Sequence, residues 1–220
     1  MSRIVVFANG KLNHSEVLKG HLRSTDRIFC ANGGTIHALA LDLEPEIVVG
    51  DLDSLSTDAV NALKATGTII DRHPVAKDQT DLELTLDRAL EQNPTEILLV
   101  SALGGRLDQM LANIFLLSRQ LYRGIRMTLL DGYQWAALVR AGETLTVPGR
   151  KGDTVSLIPL SPEVSNVTFT GVQWPLEKAA LEFGSTWSVS NKMTETEAKV
   201  SIRSGLLLVV HIDQRASDID

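Results

Sequence analysis

The sequence predicts an α/β protein with two differently built parts. The first ~130 residues alternate short apolar, β-rich runs with segments compatible with helices, which is the pattern of βαβ units in a mainly parallel sheet. After about residue 140, short strand-like runs are joined by Gly, Pro and Ser, which favours a small antiparallel sandwich or barrel. We therefore predict a Rossmann-like α/β domain at residues 1–140 and an all-β sandwich at residues 141–220.

Six apolar runs in the first part predict strands that end in turn residues or acids, such as Asn9-Gly10 and Gly50-Asp51. In an open parallel sheet, ligands bind outside the carboxyl ends of the strands. These strand ends are therefore the place to search for a site. The predicted strands are residues 4–8, 27–31, 47–49, 68–70, 97–100 and 127–130.

Two helices are predicted in detail. Residues 80–83 fit a capping box, and an apolar stripe that includes Leu82 and Leu86 follows them. The second helix follows the turn at Gly104 and Gly105. Its stripe consists of Leu107, Met110, Leu111, Ile114, Leu117 and Leu121.

The second part shows five strand-like runs, one short helical segment near residues 176–181, and a hairpin turn predicted at Ser204-Gly205. The predicted strands are residues 154–158, 167–169, 186–190, 199–202 and 206–212.

Composition narrows the function classes. The net charge of −6 argues against a nucleic-acid binder, which normally presents a basic face. No apolar run approaches the roughly 20 residues that span a bilayer. The N-terminus runs directly into a strand, so we expect no signal peptide and a cytoplasmic location. Cys30 is the only cysteine, and its apolar surroundings predict core packing.

Acidic residues cluster at three places. Asp51 and Asp53 follow the run at residues 46–49, and two nearby carboxylates repel each other unless a proton or cation lies between them. Mg²⁺ typically uses one or two carboxylates together with phosphates and water. The alternative is a solvated turn in which Ser54 or Ser56 caps the next helix.

The second cluster is Asp78 and Asp81 beside Lys77, a cation for phosphate; alternatively, Asp81 only complements a helix dipole. The third cluster places Arg106 and Asp108 after a Gly-Gly turn that opens a helix, although without the spacing of a Walker A loop. Together the three clusters predict a site for a metal ion and a nucleotide.

In the second part, Trp174 or Trp187 could stack on an aromatic ligand, with Ser188, Ser190 and Asn191 orienting it. The alternative is core tryptophans beside a polar strand edge. The five histidines have no metal-ligand spacing, so we interpret them as structural or surface residues.

The motifs resemble those of the thiamin pyrophosphokinase family. The similarity runs in order through nearly the whole chain, in the motifs at residues 50–54, 77–83, 104–109 with Asn113, 155–160, 171–176 and 190–191. It implies an α/β domain and a β-sandwich, a homodimer with active sites at the subunit interface, and transfer of the pyrophosphoryl group of ATP to thiamine, giving thiamine diphosphate and AMP.

The resemblance also implies roles for individual residues. Asp51, Asp53, Asp78 and Asp81 match the acidic metal and ATP site, with Mg²⁺ expected on Asp51, Asp53 and Asp81. Arg106 and Asp108 match the phosphate and catalytic motif, and the segment of Trp187, Ser188, Ser190 and Asn191 contributes to the thiamine pocket. The expected nucleotide-binding residues are Asn32, Gly33, Gly34, Lys77, Thr80, Gly104, Gly105, Arg106 and Asn113.

One departure from the family pattern concerns charge. Where the family usually has Ala-Asp-Gly-Gly, this chain has Ala31-Asn32-Gly33-Gly34, so the site loses one acid. We expect Asp78 or Asp108 to accept the proton of the thiamine hydroxyl. Three alternatives stay open: a diphosphokinase for another alcohol such as a hydroxymethylpterin, a non-catalytic thiamine or nucleotide sensor, and a Mg²⁺-dependent phosphohydrolase.

Overall fold

The fold was analysed in a computed structural model that describes residues 2–215. Its contacts divide the chain into two units, Met1–Gly132 and Tyr133–Asp220. The predicted fold class is confirmed in both: the first unit holds a parallel sheet with helices, and the second holds two antiparallel sheets.

The sheet of the first unit has six parallel strands in the order β6-β5-β1-β2-β3-β4. Its central strand β1 is buried at every position, as the apolar run after Arg3 predicts. All six predicted strands are confirmed, with ends that differ from the prediction by at most two residues. The strands are β1 (Arg3–Phe7), β2 (Arg27–Ala31), β3 (Ile47–Gly50), β4 (Ile69–Arg72), β5 (Glu96–Val100) and β6 (Arg126–Asp131).

Five helices connect these strands, and α2 and α4 pack on β1–β3. Helix α4 begins where predicted, because Thr80 caps it by accepting a hydrogen bond from the Glu83 N–H. Its residues Leu82, Leu86 and Ala89 are buried against the sheet. The helices are α1 (Ser15–His21), α2 (Gly34–Leu39), α3 (Thr57–Ala65), α4 (Asp81–Leu90) and α5 (Leu107–Leu116).

Helix α5 is shorter than its predicted stripe, and its apolar side chains are not buried. It begins at Leu107 as expected but ends at Leu116, and a short 3-10 turn, Gln120–Tyr122, follows. None of its residues is buried, although its sequence is strongly apolar. The stripe read from the sequence therefore reaches the core only beyond the helix, at Leu117.

The second unit is a sandwich of two antiparallel sheets, ordered β12-β9-β14-β7 and β11-β10-β13-β8. Side chains from both sheets form its core, with Val155, Leu157, Val167 and Val200 among the fully buried residues. The strands are β7 (Gln134–Arg140), β8 (Thr144–Pro148), β9 (Thr154–Pro159), β10 (Glu163–Thr170), β11 (Leu176–Glu182), β12 (Asn191–Lys192), β13 (Glu197–Ser201) and β14 (Leu206–Ile212).

Three local predictions in the second unit are wrong. Residues 176–181 belong to strand β11, since antiparallel pairing with β10 overrides their helix propensity. Residues 186–190 form turns and bends instead of a strand. Ser204-Gly205 is no hairpin turn: β13 and β14 lie in different sheets, and Ser204 bridges to Ser165.

Among residues 2–215, no helix is both long enough and apolar enough to cross a membrane.

Candidate active site

A cleft of about 790 Å³ opens at the carboxyl ends of β1, β2, β3 and β5 in the first unit. Strand β2 lies next to β1 on one side, and β5, which comes later in the chain, lies next to β1 on the other side. The strand order therefore reverses between β1 and β5. A reversal of this kind leaves a crevice between the loops that follow the two strands. The cleft therefore lies where an open α/β sheet binds ligands.

Asp51 and Asp53 meet in this cleft around the side chain of Asn32. The Asn32 amide Nδ2 donates hydrogen bonds of 2.9 Å to Oδ1 of each carboxylate. The acids meet through a turn and not along an extended strand, because Leu52 between them has a left-handed backbone with φ 66°. Hydrogen bonds from Asn32 and then Ser54 lower the pKa of Asp53, so this carboxyl group stays ionised.

Asp81 is brought to the same place by a close approach of three backbones. Gly50 has φ 144°, and a Cβ there would lie 3.0 Å from both Asn32 Cβ and Asp81 Cγ. Glycine at this position lets β2, β3 and the start of α4 converge. Lys77 Nζ lies 2.8 Å from Asp81 Oδ1 in an ion pair, but that oxygen has no partner with hydrogen-bond geometry.

The opposite wall begins with the Gly104-Gly105 turn and the N-terminus of α5. Arg106 binds Asp108 through two hydrogen bonds, of 3.1 Å from Nε and 2.6 Å from a terminal nitrogen, and both side chains are exposed. This pair raises the pKa of Arg106 and lowers that of Asp108. Asn113 on α5 donates to the Ala102 carbonyl at 2.8 Å, which ties the helix to the loop after β5.

Most of the residues predicted for the nucleotide and metal site line this one cleft. Four do not: Asp78 and Asp108 lie outside the lining, and Gly33 and Gly34 serve packing. A Cβ on Gly33 would meet the Asn9 side chain at 2.2 Å, and one on Gly34 would meet the Phe7 carbonyl at 2.2 Å. The predicted residues that do line the cleft are Asn32, Asp51, Asp53, Lys77, Thr80, Asp81, Gly104, Gly105, Arg106 and Asn113.

The cleft has one wall that the sequence analysis missed, the loop of Asn9, Gly10 and Lys11 after β1. The signal was present, because Asn9-Gly10 is a turn at the end of a predicted strand on the same sheet edge. Val75, which is strongly exposed, also lines the cleft.

The donor set fits a hard cation held jointly with phosphate oxygens. Among residues 2–215, no group of three or more acidic, histidine or cysteine side chains is arranged to hold a metal ion by itself. Mg²⁺ commonly takes one or two carboxylates and completes its shell with substrate phosphates and water. Asn32 is buried, and its Oδ1 has no hydrogen-bond partner, which leaves a further oxygen ligand beside Asp51 and Asp53.

In the second unit, two of the three polar side chains predicted for the thiamine pocket, those of Ser188 and Asn191, are bonded to the backbone. Ser188 is buried and donates to the Leu157 carbonyl at 2.8 Å. Asn191 bonds both the N–H (3.1 Å) and the carbonyl (2.7 Å) of Trp174. Ser190 is exposed, with φ 63°, and its N–H donates to Ser156 Oγ.

Both tryptophans of this segment are open to solvent, as are the neighbouring Phe183 and Val189. Trp174 is 57% exposed and Trp187 is 58% exposed, so the alternative of core tryptophans is wrong for both. Asn191 fixes the backbone of Trp174, which leaves its indole projecting from a rigid turn. The segment can therefore present flat aromatic surfaces to a ligand.

Comparison with known protein families gives two matches that together span most of the chain. The family model described as "Thiamin pyrophosphokinase, catalytic domain" matches residues 18–129. The model described as "Thiamin pyrophosphokinase, vitamin B1 binding domain" matches residues 143–207. The first match covers the cleft from Asn32 to Asn113, and the second covers the exposed tryptophans.

Individual relatives agree with these matches. The chain is 29% identical over 210 residues to the thiamine pyrophosphokinase of Bacillus subtilis, covering 96% of this chain and 98% of that protein. It is 28% identical over 187 residues to thiamine pyrophosphokinase 1 of Arabidopsis thaliana, covering 80% of this chain and 68% of the relative. The crystal structure of the B. subtilis protein superposes with a TM-score of 0.86, covering 97% of this chain and 100% of that one.

Proposed function

The chain belongs to the thiamin pyrophosphokinase family, and we propose that it transfers the pyrophosphoryl group of ATP to the hydroxyl of thiamine, giving thiamine diphosphate and AMP. The observation that carries this proposal is the cleft at the carboxyl ends of β1, β2, β3 and β5, where acids and cations face one another. Such a transfer needs positioning and charge stabilisation more than covalent chemistry.

We propose that Asp51, Asp53 and Asp81 hold Mg²⁺ together with the nucleotide. When bound, Mg²⁺ supplies positive charge that offsets the charge on the phosphate oxygens. The shared hydrogen bonds from Asn32 keep the first two carboxylates side by side, and the low pKa of Asp53 keeps it ionised for binding. Asn32 contributes an oxygen but no charge, so the site carries one acid fewer than the usual family pattern.

Lys77, Arg106 and the backbone N–H groups near Gly104 and Gly105 are proposed to bind the phosphates. The salt bridge with Asp108 restrains the Arg106 side chain at the start of α5, and it lowers the pKa of Asp108. A carboxylate with a lowered pKa is a weaker proton acceptor, so Asp108 is better suited to position Arg106 than to deprotonate thiamine. Asp78 is exposed, and its role as proton acceptor stays a prediction.

For thiamine we propose that the exposed indoles of the second unit supply the stacking surface. Trp187 and Trp174 are the two candidates, and Ser190, three residues after Trp187, has an exposed hydroxyl. Ser188 and Asn191 shape the pocket by holding its backbone, because their polar side-chain atoms are already bonded to Leu157 and Trp174.

We propose that the protein is a homodimer with active sites at the subunit interface. Leu107, Leu111 and Phe115 lie four residues apart on α5 and are 65%, 42% and 48% exposed. Exposed apolar side chains at this spacing form one continuous face, which is typical of a protein–protein contact. A second copy of this chain is the proposed occupant, and Arg106 and Asp108 at the start of α5 connect that contact to the cleft.

The dimer is tested by Leu111→Glu, with Ile69→Glu on the edge strand β4 as the matched control. Sedimentation should show a dimer for the unchanged protein and the control, and a monomer with reduced activity for Leu111→Glu. A monomeric unchanged protein with full activity would overturn the proposal.

The reaction is tested by measuring AMP formation from ATP and Mg²⁺ with and without thiamine, with mass detection of thiamine diphosphate. Thiamine-dependent AMP is the expected result. Turnover of a hydroxymethylpterin but not of thiamine would favour the other diphosphokinase. Release of inorganic phosphate without an acceptor would indicate a phosphohydrolase, and tight ligand binding without AMP would indicate a sensor.

We also propose a cytoplasmic location for this reaction. With Cys30 as its one cysteine the chain forms no internal disulfide, and such disulfides are rare in proteins of reducing compartments. Fractionation of cells that express the chain from its own gene, with detection by antibody, would test this location.

A further inference from the structure

The loop of Asn9, Gly10 and Lys11 lies at the reversal of the strand order. It follows β1, whereas the wall formed by Gly104 and Gly105 follows β5, and the strand order reverses between these two strands. The two loops therefore flank the crevice at its centre. No role for the β1 loop was predicted from the sequence.

This loop is held in place by hydrogen bonds to neighbouring segments. The Gly10 N–H donates to the Ser101 carbonyl at 2.7 Å, and the Lys11 N–H donates to the Leu103 carbonyl at 3.3 Å. His37 Nε2 on α2 lies 2.8 Å from the Gly10 carbonyl. Gly10 cannot be replaced easily, because a Cβ there would lie 2.3 Å from the Ser101 carbonyl oxygen. The backbone that carries Lys11 is therefore preorganised.

The ammonium group of Lys11 differs from the other cations of the cleft. Lys77 is paired with Asp81, and Arg106 is paired with Asp108. Of the three cations that line the cleft, Lys11 alone makes no ion pair or side-chain hydrogen bond with any residue in the described range 2–215. An anion can bind it without first breaking an internal salt bridge.

The stem of Lys11 lies along the glycine turn of the facing wall. A Cβ on Gly104 would be 3.4 Å from the Cβ and Cδ atoms of Lys11, so the absence of a side chain at Gly104 leaves room for the lysine. Helix α5 starts immediately after this turn with Arg106 as its N-cap. Lys11 thus lies at the side of the cleft that offers backbone N–H groups and a guanidinium to an anion.

We propose that Lys11 binds the polyphosphate chain of the nucleotide. The proposal deepens the proposed function and rests on it. The three acids of the cleft repel a polyphosphate unless cations offset their charge. The fixed loop holds the charge in place, which reduces the ordering cost of binding. His37 acts only as a positioning residue, through the Gly10 carbonyl.

The test compares Lys11→Met with Lys11→Arg and with Lys64→Met, an exposed lysine on α3 outside the cleft. Loss of a charge-assisted phosphate contact should raise the KM for ATP about tenfold. The KM for thiamine should change by less than about twofold, because the loss of one charge-assisted contact to thiamine would change it by more than that. Lys11→Arg should restore most of the affinity, and Lys64→Met should behave as the unchanged protein.

Calorimetric titration with MgATP and with inorganic pyrophosphate separates this proposal from the identity of the acceptor. Both probes should bind Lys11→Met more weakly, even if the acceptor alcohol turned out not to be thiamine. His37→Leu should weaken MgATP binding by a smaller factor, and His37→Gln, which keeps a donor, should rescue it. Equal MgATP affinity for the unchanged protein and a folded Lys11→Met variant would overturn the proposal.

Discussion

The two units use polar residues at loop positions in opposite ways. In the cleft of the first unit, Asp51, Asp53 and Asp81 are held by side-chain contacts, while the backbone is carried by a buried parallel sheet. In the second unit, Ser188 and Asn191 hold the backbone themselves. A parallel sheet satisfies its own backbone and leaves its strand-end loops available for chemistry, whereas an irregular turn in a sandwich needs side chains to satisfy it.

The largest effect is expected when the chemistry of the first unit is removed without touching its fold. Asp53→Asn keeps the shape of the side chain but loses a charge that Mg²⁺ requires, so turnover should fall by about a hundredfold or more. Thiamine diphosphate formation and the thermal unfolding temperature should be measured together. Asp58→Asn, an exposed acid at the start of α3, is the matched control. A folded Asp53→Asn protein with near-normal turnover would remove this residue from the metal site.

The opposite use of side chains in the second unit predicts a loss of stability and not of chemistry. Asn191→Ala leaves the N–H and carbonyl of Trp174 without these partners, and should lower the free energy of unfolding by about 2 kcal/mol. Urea denaturation measures the change, and Ser190→Ala, at an exposed side chain, should change it by less than about 0.5 kcal/mol. If Asn191→Ala were fully stable but bound thiamine poorly, Asn191 would be a ligand residue and the contrast would fail.

The exposed indoles sharpen the comparison, because they belong to the second unit but are not used to hold its backbone. Replacing the stacking tryptophan by Ala should raise the KM for thiamine about tenfold and leave the KM for ATP unchanged. Trp174→Ala and Trp187→Ala should be measured side by side, and the variant with the larger effect identifies the stacking residue. If both variants raised the KM for ATP and not that for thiamine, the pocket would be misplaced.

A smaller effect is expected from restoring the missing acid, Asn32→Asp. The amide donor that lowers the pKa of Asp53 is lost and a third carboxylate joins the pair, so without Mg²⁺ the unfolding temperature at pH 7 should fall by about 2–4 °C. Added Mg²⁺ should reverse the loss. A carboxyl group with a lowered pKa stabilises the fold at pH values above the ordinary carboxyl pKa, and this stabilisation is lost as the pH falls through the lowered pKa. The difference in unfolding temperature between the two proteins should therefore shrink below about pH 4. Equal unfolding temperatures at pH 7 in a chelator would contradict this account.

The sequence predicted the first unit better than the second for a physical reason. Strands such as β1 and β3 are buried on both faces, so their apolar runs are visible without any knowledge of their partners. Strand β11 has exposed, helix-favouring residues, and only its pairing with β10 makes it a strand. The turn at residues 186–190 is held to β9 by Ser188 and Ser190, which no local pattern reveals.

The same distinction applies to the site. Acids at strand ends have a recognisable pattern, and they were found. Lys11 was missed because a lysine in a turn has no distinguishing pattern, and its place opposite Gly104 depends on β5, which lies some ninety residues later in the chain. The apolar stripe of α5 is visible in the sequence but what covers it is not, since a helix that meets a partner has the same spacing as one that meets its own sheet.

The reactivity of Cys30 can report how often the sheet opens locally. The thiol is fully buried in β2, next but one to Asn32, and burial raises its pKa far above the ordinary value. A thiol reagent needs both access and the thiolate, so labelling should report only those molecules in which β2 has separated from its neighbours. Because the chain has no other cysteine, a single labelling rate would measure how often β2 separates from its neighbouring strands near the acidic cluster. The same rate would show how far ATP and Mg²⁺ slow that separation.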